Sequence, residues 1–350
     1  MNDNNKKILN VVVQRKINCY SSDAYFLNLI LAYPNMLPWI YENYIQLFFS
    51  SGKKVRNTNE NEVFLDFFGG WTEPRKLLNC KQYDRKFLST TDIICFIENK
   101  ISDGFYLYTY IDEYYSISEG KEHYCHDISI YGYDKIKQLL HVIGFDKKGN
   151  YTTYTILYSV FRLAFESGIL LSKEYDQYGG KNYLLGIAPN FSREKKYVIE
   201  PENMKSIFYD YLNNIRTIDN FVTDDPNYDL YMQPQNVYGI CVYDCITEYI
   251  SNFTNWTHKI DYRIFHVLYE HKKLMSDRLL YLKEELKYPI SEQEIIQTNE
   301  LIHSCDKARL IVLKHNIIPK EQTLSKLLNY ILQISQEESK LFKQVYDKMI

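Results

Sequence analysis

The spacing of hydrophobic positions changes near residue 200 of this 350-residue chain. Before that point short alternating and helical stretches mix. Beyond it a helical period runs almost unbroken. The first helical stretch carries an apolar face at Leu27, Ile30 and Leu31, with Asn18 ahead of it as a good N-cap. Pro34 and Pro38 break the chain before a second predicted helix over 39–49. Residues 55–68 read as strand and irregular structure ending at Gly69-Gly70. A helix starting at Thr90 or Thr91 carries Ile93, Ile94, Ile97 and Ile101 and stops at Gly104. Four strand-like runs follow, at 105–111, 126–131, 139–145 and 151–156, rich in aromatic and β-branched residues. The links Gly132-Tyr133-Asp134 and Lys147-Lys148-Gly149-Asn150 look like hairpin turns, which predicts an antiparallel sheet. A helix over 157–167 and a strand over 183–187 complete this part.

Further along, helices are predicted over 202–216, 238–252, 260–287, 291–315 and 320–348. Pro289 with Ser291, and Pro319, mark the last two breaks. Such short links imply antiparallel neighbours in a bundle. The expected fold class is therefore α+β, with a mixed catalytic domain over 1–200 and a helical domain over 201–350.

Charge narrows the partners. With 41 basic and 44 acidic side chains the formal net charge is −3, and no basic cluster is long enough to track phosphates, so no nucleic-acid partner is expected. The apolar run from Ile8 to Val13 is too short for a secretory signal, and no stretch approaches the roughly 20 apolar residues of a membrane span. Seven irregularly spaced cysteines do not form an extracellular disulfide framework. A cytoplasmic protein without membrane contact is the expectation.

Two residues carry the candidate chemistry. A thiol near a helix N-terminus is pushed toward thiolate by the free N–H groups there, and Cys19 follows the expected cap directly. A histidine beside it stabilises the thiolate and protonates the leaving group. His126 opens the strand-like run 126–131 and suits that role. His123 competes from the loop before it, and His141 from the adjoining strand. Taken singly, Cys19 reads more readily as a small buried hydrophobe and His126 as a satisfied sheet histidine.

The run Asn18-Cys19-Tyr20 before an apolar helix, with His126 followed by Tyr131-Gly132-Tyr133-Asp134, resembles the butirosin-biosynthesis-protein-H-like N-terminal family. That family is related to the bacteriocin-processing (C39-type) cysteine peptidases. The resemblance spans roughly residues 10–190. It implies a papain-like cysteine-protease fold and an acyl-enzyme on Cys19, with His126 shuttling protons. It also implies an acyl or peptidyl carrier protein bearing a phosphopantetheine thioester as donor, and a small amine or diamine as acceptor. No cofactor is implied, and the Gly-Lys segments at 52–54 and 179–181 lack the pattern of a phosphate-cradling loop.

Two further roles depart from the family pattern. The third triad residue falls at Gly144, which has no side chain. Asp146, two residues on, faces the same side of a continuing strand, and reads equally as a turn residue. Gln14 is the oxyanion-hole candidate, one residue closer to the cysteine than the family spacing, or else an exposed glutamine at a strand end. Cys241 and Cys245 lie one helical turn apart without a second ligand pair, so no metal is assigned. The tyrosines at 106, 108, 110, 114 and 115 read as sheet packing or as an acyl pocket. Asp224, Asp225 and Asp229 form an acidic patch. Lys272, Lys273, Arg278, Lys283 and Lys287, set among acidic residues, read as a solvated mixed-charge face or as a basic face for an acidic carrier. The same Cys–His pair also suits a peptidase or amidase, and the gap at Gly144 suits a non-catalytic binding protein.

Overall fold

The computed structural model describes residues 5–54, 61–68, 73–88, 91–116, 122–174, 183–217, 236–253 and 259–349. They form an α+β structure with antiparallel sheets and a helical C-terminal region. Its strands, in chain order, are β1 (Lys6–Ile8), β2 (Leu47–Lys54), β3 (Asn61–Phe67), β4 (Leu78–Asp84), β5 (Tyr106–Asp112), β6 (Cys125–Asp134), β7 (Leu139–Phe145), β8 (Tyr151–Leu157), β9 (Tyr183–Pro189) and β10 (Val237–Tyr238).

The chain divides into two compact units, Met1–Pro34 with Pro74–Glu194, and Asn35–Glu73 with Lys195–Ile350. This differs from a single cut at residue 200. The stretch read as one helix over 39–49 is a short helix, Leu37–Asn43, followed by β2, which pairs with β3 and β10 in the second unit. Leu47, Phe48 and Phe49 are all buried, and a short apolar run fits a buried strand as well as a helix.

In the first unit the sheet runs β4-β9-β5-β6-β7-β8. β5 covers residues 125–130 of β6, and β1 takes over the same edge at 132–134. A Cβ at Gly132 would stand 2.8 Å from the Lys7 carbonyl oxygen, so glycine lets β1 in. Gly132-Tyr133-Asp134 is thus the end of β6 rather than a turn. The turn lies at 135–138, where Gln138 takes φ 53°.

One face of this sheet is apolar. Leu107, Ile111, Ile128, Ile130, Leu140 and Val142 form a single core with Ile94, Ile97 and Ile101 of the helix Ile93–Ser102 and with Phe161 and Phe165 of the helix Tyr158–Glu174. Each such side chain contributes about 1.5–3 kcal/mol on burial. Asp92, not Thr90 or Thr91, caps the first of these helices, accepting from the Ile94 and Cys95 amides. The opposite face is aromatic and polar. There the helix Ser21–Ile30 sets Tyr25 edge-on to Tyr108, with ring centroids 5.4 Å apart, and Asn28 donates to the Tyr151 hydroxyl at 2.8 Å.

The second unit contains the helices Pro201–Leu212, Val242–Ser251, Tyr262–Glu284, Glu292–Ile317 and Glu321–Asp347. Ser291 and Glu294 form a reciprocal capping box at the start of the fourth. Lys272 and Arg278 are wholly buried, which removes them from the expected basic face: Lys272 donates to Glu338 and Arg278 to the Tyr41 and Tyr44 carbonyls. No helix among the described residues is long and apolar enough to cross a membrane. Gly69-Gly70, Thr90, residues 179–181 and the acidic patch at Asp224, Asp225 and Asp229 lie outside the described residues.

Candidate active site

The segment before the helix Ser21–Ile30 is fastened by Gln14. Its Oε1 accepts from the Lys16 and Ile17 amides at 2.8 and 3.1 Å, and its Nε2 donates to the Ile17 carbonyl at 2.5 Å. The Gln14 amide donates to Asn28 Oδ1 at 3.1 Å, tying the turn back to the helix. Gln14 is therefore buried rather than exposed, and it shapes the turn that leads to the thiol. One of its two Nε2 hydrogens goes to Ile17.

The helix begins later than expected. Tyr20, extended at φ −109° and ψ 127°, is the N-cap, and Ser21 is the first helical residue. Asn18 is not the cap. Cys19 is half-buried and stands one residue before the cap, ahead of the positive end of the helix rather than in its first turn.

His126 sits near the start of β6, opposite Ile111 of β5, with its side chain 26% exposed. Three oxygens face its Nδ1: Asp127 Oδ1 at 3.1 Å, the Asp127 carbonyl at 3.3 Å and Glu113 Oε1 at 3.4 Å. Phe145 of β7 lies edge-on to the ring at 5.7 Å. Burial first, and the nearby Asp127 charge next among the causes that raise it, push the Glu113 carboxyl upward against the pull of His126.

Asp127 joins the two candidate segments. Both of its carboxylate oxygens lie 2.8 Å from Ser21 Oγ, and Oδ2 also accepts from Tyr108 at 2.9 Å. Its carbonyl accepts from the Tyr25 hydroxyl at 2.9 Å. Ser21, two residues from Cys19, therefore shares one carboxylate with the imidazole of His126. The tyrosine hydroxyls continue inward: Tyr108 to Tyr110 at 3.1 Å, and Tyr110 to Tyr183 at 3.4 Å. Burial, then the Asp127 charge, holds the Tyr25, Tyr108 and Tyr151 hydroxyls well above the ordinary phenol range, so they remain protonated donors.

Asp146 is placed elsewhere. It closes the β7–β8 turn, with Oδ1 accepting from the Lys148 and Asn150 amides at 2.8 Å each. The carboxylates at the imidazole are Glu113 and Asp127 instead. Gly144 could not supply one without displacement, since a Cβ there would meet Tyr154 Oη at 3.2 Å and Tyr25 Oη at 3.5 Å. His123 forms a separate pair: its Nδ1 is 2.6 Å from the buried Asp112, which also accepts from Ser167 at 2.6 Å, and its ring stacks on Tyr114. Adjacent residues Asp112 and Glu113 thus each face one histidine.

Sequence reading passed over Asp127, Glu113 and Ser21. Strand parity sends neighbours to opposite faces, so adjacency to His126 gave Asp127 no signal of a shared site. The acidic pair ending the 105–111 run was the available signal. In the second unit, burial raises the thiols of Cys241 and Cys245, the latter to about 11. Among the described residues, no three His, Cys, Asp or Glu side chains are grouped to hold a metal ion. The sequence matches no protein-family model and no curated protein at a significant level.

Proposed function

We propose that this chain is an acyltransferase that forms an amide through a Cys19 acyl-enzyme. The observation that carries the reading is the carboxylate of Asp127, held at once by Ser21, two residues after the cysteine, and by His126. It ties the segment bearing the thiol to the strand bearing the imidazole, which supports the reading. The resemblance to the butirosin-biosynthesis-protein-H-like family supplies the reaction class. The chain also looks like the cysteine-protease homologue, an amide synthase, of closthioamide biosynthesis.

The steps balance without a nucleotide. The Cys19 thiolate attacks the carbonyl of a carrier-protein thioester, the thioester C–S bond breaks, and the departing pantetheine thiolate takes the proton of the His126 imidazolium. An amine then attacks the acyl–Cys19 carbonyl while His126 accepts its proton. Loss of the Cys19 sulfur releases the amide and restores the thiolate–imidazolium pair. Thioester exchange is nearly isoenergetic and aminolysis runs downhill. The Cys19 backbone N–H and the second Nε2 hydrogen of Gln14 are the donors suited to the developing oxyanion. On this reading the donor is a carrier-bound peptidyl chain rich in β-alanine, the acceptor is a diamine, and the protein works in the cytoplasm.

Intact-protein mass spectrometry with a short acyl-pantetheine thioester tests this. The expected result is one acyl adduct, absent in Cys19→Ala and discharged as amide on adding a diamine. Discharge by water at the same rate would make the protein a hydrolase. Unchanged turnover in Cys19→Ala would remove the cysteine mechanism.

A further inference from the structure

The helix Glu292–Ile317 is apolar on two sides. Its inner side, with Ile295, Leu301, Ala308 and Val312, is buried in its unit. Its outer side carries Ile296, Leu310 and Ile317, which are 49%, 53% and 77% exposed, together with Leu313 and, just beyond the helix, Ile318. One apolar face is enough to hold a helix in a bundle, and a second one left in water marks a contact with something else. The second face is regular. Ile296, the exposed His303, Leu310 and Ile317 recur every seven residues, with Leu313 three after Leu310. That is the seam by which two helices pair side by side, and it runs for about 32 Å at 1.5 Å per residue.

Charge along this seam identifies what covers it. Glu300, Lys307 and Lys314 are exposed, follow one flank at the same interval, and have no ion-pair partner among the described residues. The acidic one lies toward the N-terminus and the last basic one toward the C-terminus. A second copy laid parallel would bring Glu300 level with Glu300 and Lys314 level with Lys314. Laid antiparallel, about a two-fold axis near residues 306 and 307, it sets Glu300 against Lys314 at both ends. The same axis brings Ile296 against Ile317 and His303 against Leu310, so the apolar and charged patterns select one register. Lys307, near the axis, then faces Asp306 of the second copy, a carboxylate that Arg309 holds from its own helix at 2.5 Å.

We propose that the outer face of the helix Glu292–Ile317 is a self-complementary interface, covered by the same face of a second copy of this chain in antiparallel pairing. The inference is independent of the reading of Cys19. One helix pair of this length lies at the small end of specific interfaces, so monomer and dimer exchange in the micromolar range. The Glu300–Lys314 contacts sit at the wet rim of the seam, so added salt loosens the dimer.

Sedimentation equilibrium of the full-length protein, from low to high micromolar concentration, tests this. The expected result is a reversible monomer–dimer equilibrium. Leu310→Glu puts charge on the seam and should leave a monomer with an unchanged circular dichroism spectrum. Glu300→Lys sets lysine against lysine at both ends and should raise the dimer Kd about tenfold. Adding Lys314→Glu to it restores opposite charges and should bring the Kd back to within about threefold of the starting value. A dimer untouched by Leu310→Glu, or a double variant no tighter than Glu300→Lys, overturns the proposal. A monomer at every concentration also overturns it and leaves the face to a different partner.

Discussion

A histidine's two nitrogens are set apart by what faces them, and this chain holds both cases. Among the described residues, the oxygens nearest His126 Nδ1 are those of Asp127 and Glu113. His271, wholly buried in the second unit, gives Nε2–H to the Ile45 carbonyl at 2.8 Å and accepts at Nδ1 from Lys272 at 2.7 Å. The same side chain thus faces two carboxylates in one place and bridges a carbonyl and an ammonium in the other. Asp146 shows how a residue expected in a site is taken up by local structure. Backbone N–H groups of Asn150, then Lys148, hold its carboxyl below the usual range. The stabilisation it gives the turn is thus present above the ordinary carboxyl pKa and fades as pH falls through the lowered value. Asp146→Ala is expected to leave Cys19 alkylation unchanged while speeding amide exchange at Lys148 and Asn150, as NMR would report. A slowed alkylation would restore Asp146 to the site. Its turn role was legible from Lys147-Lys148-Gly149 alone. The role of Asp127 was not, because period-two reasoning separates neighbours that a flexible ring and a carboxylate can still bring together.

At the scale of elements, sequence reading succeeded where one physical signal dominated. The run 139–145 is β7 residue for residue, and the long helices were found by their period and by Ser291 as a cap. It failed where burial is two-sided or absent. Leu47, Phe48 and Phe49 are apolar in succession, and β4 is an edge strand whose Asn79, Lys81 and Gln82 are exposed, so its ladder to β9 leaves no alternation to read. Close approach between elements is equally silent in sequence. The helix Tyr158–Glu174 meets β5 at Gly168, where a Cβ would lie 2.9 Å from Arg85 Nη2, 3.1 Å from the Asp112 amide and 3.2 Å from the Ile111 carbonyl carbon. Two of those atoms are backbone and cannot swing aside. Arg85, itself buried, bonds the Tyr110 carbonyl at 2.7 Å and the Phe165 carbonyl at 3.3 Å, locking strand to helix. Gly168→Ala should therefore destabilise the first unit by about 1–3 kcal/mol in urea denaturation. Because Ser167 also grips Asp112 beside Glu113, Cys19 alkylation should slow as well. A loss below about 0.5 kcal/mol, the size of an ordinary surface change, would show that the helix can move off the strand.

Across the whole molecule the two units bury their polar groups differently. The first gathers Asp127 and its tyrosines on one face of a sheet and buries Arg85 and Asp112 against a helix on the other. The second buries a charged network among its helices, where Glu338 accepts from Lys272, Tyr211 and Tyr243, each at 2.5 Å, with His271 and Cys305 close by. A buried pair of this kind resists the loss of one partner more than of both, because a lone charge stays behind. Glu338→Gln should cost about 3–5 kcal/mol, and Lys272→Met added to it should return part of that. Proton linkage gives the same network a pH window. Burial, then the Lys272 charge, holds His271 well below its ordinary 6.5. The unfolded chain therefore takes up a proton that the folded one refuses, and stability falls as pH drops below that value. Burial pushes the Cys305 thiol up to about 12, so the unfolded thiol ionises from about 9 while the folded one does not, and stability falls again on the alkaline side. Hydrogen exchange followed on the helix Tyr262–Glu284 should show protection greatest between these limits. His271→Gln should lower that protection throughout, yet reduce its acid-side slope by about 1.4 kcal/mol per pH unit, the value for one proton. An unchanged slope would mean that another group takes up the proton and that His271 is already charged in the fold. Its Nδ1 would then have to give up the hydrogen bond from Lys272 and turn an N–H toward an ammonium, which only a displaced Lys272 would permit.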